Sequence, residues 1–133
     1  DETTARTLIA TVLTDFPDTR AAASAAFLHA DLDHDDGNAD SATVFYRRAI
    51  AIAPSSDDAG LARMRLAGMA FARADYDSAL AEFGVYLDSF PAGKRAQQAL
   101  YWSAQTLRAN ANPDSAVTIL RRTRAMDPFT YYG

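Results

Sequence analysis

The chain has 133 residues, a formal charge of −4, 49% hydrophobic and 23% charged residues, and no cysteine. This describes one globular unit and excludes a disordered tail, a disulfide framework, thiolate zinc sites and a cysteine nucleophile. No apolar run approaches the roughly 18 residues of a membrane span and no charged-then-apolar leader opens the chain, while the acidic balance, pI about 5.0, argues against nucleic acid as a partner, because the basic run Arg121, Arg122, Arg124 is too short to make a positive face.

A repeat of 37 residues organises everything that follows. Asp-Ser-Ala stands at Asp40-Ser41-Ala42, Asp77-Ser78-Ala79 and Asp114-Ser115-Ala116, and Pro17, Pro54, Pro91 and Pro128 keep the same step of 37. Self-similarity at such a period is the signature of stacked supersecondary units. The single domain 1–133 therefore divides into a partial repeat 1–17, repeats at about 18–54, 55–91 and 92–128, and a tail 129–133.

The first predicted helix covers 2–15, with Ala5 and Ile9 in the register of later Ala and bulky positions. It is the second helix of a unit, so an excised piece is expected, with Leu8, Ile9 and Val12 more exposed than their inner counterparts. The second helix covers 20–33 and runs into His29-Ala30-Asp31-Leu32-Asp33-His34-Asp35-Asp36-Gly37. That run is metal-like in composition, but counting from Asp31 it puts Gly seventh and Ala42 twelfth, where a calcium loop needs Gly sixth and Glu twelfth. A solvated turn with no metal is the expectation. One extra residue is also expected in this turn, between Leu28 and Ala42.

The third helix covers 39–53 and carries Ala42 and Tyr46 before Pro54. In the fourth, 57–73, Leu61, Met64, Ala67, Met69, Ala70 and Phe71 follow helical spacing, and Ala74-Asp75 makes a tight connection. The fifth, 76–90, places Tyr76, Ala79, Leu80, Phe83, Leu87 and Phe90 at threes and fours, one helical face. A sixth helix covers 93–110, and a seventh, 113–126, opens at Pro113. Seven helices and no strand make an all-α chain of helical hairpins. Ala42, Ala79 and Ala116 suit close helix crossings, where axes at the near end of 8 to 10 Å leave room for nothing larger. Tyr46, Phe83 and Leu120, one turn on, fill the groove between hairpins. The Asp of each triplet suits a helix start, where its carboxylate accepts from free amides.

Leu66-Ala67, Ala74-Asp75-Tyr76, Ala79-Leu80, Phe83 and Pro91 resemble the tetratricopeptide repeat, with departures at Ala74, often Gly in that family, and Tyr86, often Ala. The period of 37 exceeds that family's 34. Ala99-Leu100-Tyr101-Trp102 and the ending Asp127-Pro128-Phe129-Thr130-Tyr131-Tyr132-Gly133 look like the end of the helical superhelix of soluble lytic murein transglycosylases. A competing resemblance is to envelope adaptors of the Tol-Pal and outer-membrane-assembly type, which share the Asp-Tyr-Asp-Ser-Ala style of turn and the Phe-Pro helix end.

The resemblance implies a right-handed solenoid fragment that is a non-catalytic binding or scaffold module, periplasmic or otherwise in the cell envelope. Its partner would be a protein or peptide, or peptidoglycan through a catalytic domain outside this chain. It also implies a concave face lined by the first helix of each pair, on which Met64, Phe71, Tyr101, Gln105 and Arg108 would point inward. Trp102 reads as core, since aromatics at helical spacing are usually buried. Neither Glu2 nor Glu82 stands in a catalytic motif, Glu82 reads as an outer-face residue, and no cofactor is expected. Leu120, Tyr131 and Tyr132 at the other end would be exposed, or covered by another copy of the chain.

Overall fold

A computed structural model describes residues 1–110. Among the described residues there is no strand, and six helices follow one another: α1 Glu2–Asp15, α2 Arg20–Asp35, α3 Ala39–Ile52, α4 Asp57–Ala72, α5 Tyr76–Ser89 and α6 Ala96–Ala109. Neighbouring helices pack as hairpins, α1 on α2, α2 on α3 and α5 on α6. The expected seventh helix, the triplet Asp114-Ser115-Ala116, Leu120 and the aromatic tail lie outside the described residues. The described residues divide into two compact units, one of residues 1–62 and one that starts at residue 63, with the division inside α4.

Helix ends repeat at the same 37-residue step as the sequence, and each has a local cause. Asp1, Asn38 and Asp75 accept hydrogen bonds from the backbone N–H of Thr4 (2.8 Å), Ser41 (3.4 Å) and Ser78 (3.3 Å), each satisfying an orphan amide of the first turn. The Ser78 hydroxyl also donates to Asp75 at 2.8 Å, and Ser78 holds that carboxyl below its ordinary range. The expected caps are thereby corrected: Asp40 and Asp77 sit two residues further on, in the first turn, where they oppose the helix dipole. At the other ends, Phe16, Ala53 and Phe90 leave helical geometry with φ between −133° and −141°. Each precedes a proline, whose ring excludes the α conformation from the residue before it.

The turns settle the expected insertion. α2 and α4 both have 16 residues and start 37 apart, and Gly37 and Ala74, also 37 apart, both have positive φ, 80° and 61°. No extra residue lies between Leu28 and Ala42. Helix α2 simply runs on to Asp35. Ala74 therefore holds a left-handed conformation that costs an L-residue about 1 to 2 kcal/mol. Ala74→Gly is expected to stabilise the protein by about 1 kcal/mol after the entropy of the unfolded glycine is counted, read as a higher urea midpoint at unchanged slope.

In the first unit α1 packs on α2 and α2 on α3. Ile9, Leu13, Ala22, Ala26, Ala30, Ala42, Tyr46 and Ala49 are buried, with Phe27 against Tyr46 at 5.7 Å between ring centroids. The expected exposure of the first helix is corrected in part. Leu8 is exposed, but Ile9 is only 6% so, because the face of α1 that carries Ile9 and Leu13 lies on α2. In the second unit the core gathers Ala67 and Ala70 from α4, Ala79, Phe83 and Tyr86 from α5, and Ala96 and Ala99 from α6. Ala42 and Ala79 are both fully buried, as the spacing requires.

Helix α6 begins at Ala96 and not at the expected 93. Its first residue follows Arg95, which gives no side-chain cap, whereas α2 and α4 begin directly after Thr19 and Ser56, whose hydroxyls accept from Ala22 and Ala59 N–H at 3.1 Å. Glycine stands at the corresponding position, Gly93, and glycine has no side chain with which to cap.

Candidate functional site

Met64, Gly68 and Phe71 lie at a spacing of four and three on α4, so they share one helical face. On α6, Gln98, Trp102, Gln105 and, further on, Arg108 form a second such line. These lines and Phe83 of α5 enclose two adjoining cavities within the second unit. One, of about 270 Å³, is lined by Met64, Gly68, Phe71, Phe83, Gln98 and Trp102. The other, of about 500 Å³, is lined by Phe71, Tyr101, Trp102, Gln105, Arg108 and Ala109. Phe71 and Trp102 belong to both, so the pair is the ridge on which one groove meets the other.

The ridge is an edge-to-face aromatic cluster. Phe71 meets Trp102 at 5.7 Å and 71°, Trp102 meets Tyr101 at 5.5 Å and 85°, and Phe71 meets Tyr76 at 5.7 Å and 65°. Such contacts favour ring edges on ring faces and fix the rings in place. Trp102, expected in the core, is 43% exposed. The core-facing stripe of α6 is taken instead by Ala96, Ala99, Leu100, Ser103, Ala104 and Thr106, most of them small enough for helix–helix contact. Trp102 projects away from that stripe, into the groove.

All five residues expected on the concave face line these two cavities: Met64 and Phe71 in the first, and Phe71, Tyr101, Gln105 and Arg108 in the second. Gly68, Phe83, Gln98, Trp102 and Ala109 were not anticipated there. The 37-residue register carried part of the missing signal, since Gly68 occupies the position of Gln105 one unit on. Arg108 is the single charged side chain among the described residues that line the groove.

Two acidic positions differ from expectation. Glu82 is 9% exposed rather than on an outer face, and its carboxylate lies 3.8 Å from the Arg63 guanidinium, an ion pair across α4 and α5. Asp33, expected in a solvated turn, is 5% exposed. It accepts from Arg6 at 2.9 Å and from the Ser41 hydroxyl at 2.5 Å, and His29 Nδ1 stands 3.0 Å from it. Its neighbour Asp31 accepts from the Tyr46 hydroxyl. These carboxylates tie three helices together, and among the described residues no group of three His, Asp or Glu side chains is arranged to hold a metal ion.

Comparison with known families gives two matches. A family described as tetratricopeptide repeat-like domain matches residues 1–98, and one described as tetratricopeptide repeat matches residues 98–129. No curated protein matches the chain.

Proposed function

The chain belongs to the tetratricopeptide repeat-like domain family, and from that premise we propose that it is a non-catalytic protein-interaction scaffold whose second unit holds a peptide segment of its partner in the Phe71–Trp102 groove. The observation that carries this reading is the half-exposed Trp102, braced by Phe71 and Tyr101 over an apolar cavity. A ligand pocket of this kind combines apolar walls with a few placed polar groups, here Gln98, Gln105 and Arg108. Aromatic side chains with few rotamers give large contact area at low entropic cost, which is why they anchor interfaces. Selection of displayed random peptides on the wild-type chain, with Trp102→Ala as counter-selection, tests it. Recovered peptides should bind the Ala variant at least about tenfold more weakly, in line with the loss of an aromatic anchor. Equal binding to both chains would refute the groove.

The resemblance of Ala99-Leu100-Tyr101-Trp102 and of the Pro128 to Gly133 ending supports a finer context, the helical region that precedes the catalytic domain of a lytic murein transglycosylase-like enzyme of the periplasm. In that setting the glycan chemistry belongs to another domain of the protein. The full-length product should release soluble muropeptides from purified peptidoglycan and this chain alone should not; release by the chain alone overturns the scaffold reading. The Asp75-Tyr76-Asp77-Ser78-Ala79 turn and Phe90-Pro91 favour a second context, an envelope adaptor of the Tol-Pal or outer-membrane-assembly type, for which the full-length product would release nothing.

A further inference from the structure

Gly68 stands in the interior of α4, where glycine weakens a helix relative to alanine. Three reasons that usually retain a helical glycine are absent. Its φ is not positive and a Cβ built on it would meet nothing within 4 Å among the described residues, so neither backbone geometry nor packing against those residues asks for glycine. Nor does the repeat, because Asp31 and Gln105 hold the same register. Yet Gly68 lines the cavity between Met64, Phe71 and Trp102.

We propose that Gly68 is a specificity-determining residue, left without a side chain so that an apolar side chain of a partner peptide can lie against α4 in the cavity beside the Phe71–Trp102 ridge, while a carboxylate of the same peptide meets Arg108. This rests on the groove reading above and names its ligand class. Charge selects the carboxylate. Arg108 is the only charged side chain lining the groove among the described residues, and no ion pair of Arg108 with another described residue is present to neutralise it. A chain of net charge −4 thus presents a cation, not an acid, beside its apolar cavity. The spacing follows from helix geometry. Trp102 and Arg108 are six residues apart on α6 and line the same cavity, with a rise of about 9 Å along the helix axis at 1.5 Å per residue, which an extended peptide running along that axis covers in two to three residues at about 3.3 Å each. The acid therefore lies two or three positions from the apolar anchor.

The probes are fluorescein-labelled heptapeptides of Ala and Ser carrying one Leu or Phe and, two or three positions away, one Asp, with Lys and Asn versions as controls. Binding is read by anisotropy and by the fluorescence of Trp102, the one tryptophan of the chain. The Asp peptides should bind at least tenfold more tightly than the Lys peptides, and Arg108→Gln should erase that difference. Gly68→Ala should raise the melting temperature by about 2 to 4 °C yet weaken the Asp peptides about tenfold. Gly84→Ala in α5, where an added Cβ also meets nothing but no groove residue is involved, should raise the melting temperature without affecting binding. If Gly68→Ala binds as the wild type does while Trp102→Ala does not, the role of Gly68 is overturned and the groove stands. If Lys and Asp peptides bind alike, the carboxylate is overturned. Peptides that bind Trp102→Ala as well as the wild type overturn the groove itself.

Discussion

Replacing Tyr86 by Ala is expected to cost about 3 to 5 kcal/mol, the loss typical of a large ring removed from a packed core. Tyr86 is fully buried in the cluster formed by α4, α5 and α6, stacks on Phe90 at 5.1 Å and accepts the Arg95 N–H at 3.1 Å. That last bond matters because of what the other repeats do at the same place. Val12 and Ala49 occupy the register of Tyr86, and there Thr19 and Ser56 cap the following helix. In the repeat 55–91 the large ring has taken over the loop that follows it. A Cβ at Gly93 would stand 2.8 Å from the Tyr86 hydroxyl oxygen and 2.8 Å from Phe90 Cβ, inside van der Waals contact. Tyr86 and Gly93 thus form one exchange, in which a phenol supplies the acceptor that a capping serine supplies elsewhere.

The exchange predicts coupling between the two positions. Gly93→Ser alone should destabilise by about 1 to 3 kcal/mol through overpacking. Together with Tyr86→Ala it should cost less than the sum, by at least about 1 kcal/mol, because the serine regains a cap of the Ser56 kind once the ring is gone. A double-mutant cycle by urea denaturation decides this, and strict additivity would sink it.

Asp33→Ala is expected to destabilise the first unit by about 2 to 3 kcal/mol, the range for hydrogen bonds to a charged group. It removes the acceptor shared by Arg6 of α1 and Ser41 of α3 and leaves both without that partner. The acid range gives a second readout. Burial works to raise the Asp33 carboxyl, but the hydrogen bonds from Ser41 and Arg6, with the charges of His29 and Arg6, outweigh it and hold the group below its ordinary value of 3.8. A carboxyl depressed in the folded state contributes fully above its unfolded pKa, and that contribution disappears as the pH falls through the folded one. The wild-type melting temperature should therefore fall faster than that of Asp33→Asn only below about pH 4. Parallel curves through that range would mean that Asp33 titrates alike in the folded and unfolded chains.

Helix bounds were legible from the sequence wherever they depend on residues within four positions of one another. Phe16, Ala53 and Phe90 stop helices because a proline follows each, and α1 spans 2–15 as its spacing requires. Asp1, Asn38 and Asp75 belong to the same local grammar. Each stands two residues before a first-turn acid or its equivalent, and either position satisfies the same preference for a carboxylate or amide at a helix start. The start of α6 is not legible in the same way, since its acceptor is not local: Tyr86 provides it from across a turn, nine residues from Arg95.

Tertiary structure alone decided which polar and aromatic side chains face inward. Helical spacing does not say which of two neighbouring faces a lone large aromatic joins, and on α6 a stripe of Ala, Leu, Ser and Thr became the buried one, most of it small enough to let helices approach, while Trp102 stayed on the side of Gln98 and Gln105. Glu82 and Asp33 went inward because Arg63, and for Asp33 Arg6 and Ser41, meet them from other helices. A single helix's periodicity contains no record of those partners, since a charge is buried only where another element brings its counter-charge. The sequence by itself determined an array of helical hairpins, through a period that repeats local rules. The ridge of Phe71 and Trp102, and the open floor at Gly68, required two helices to be placed side by side.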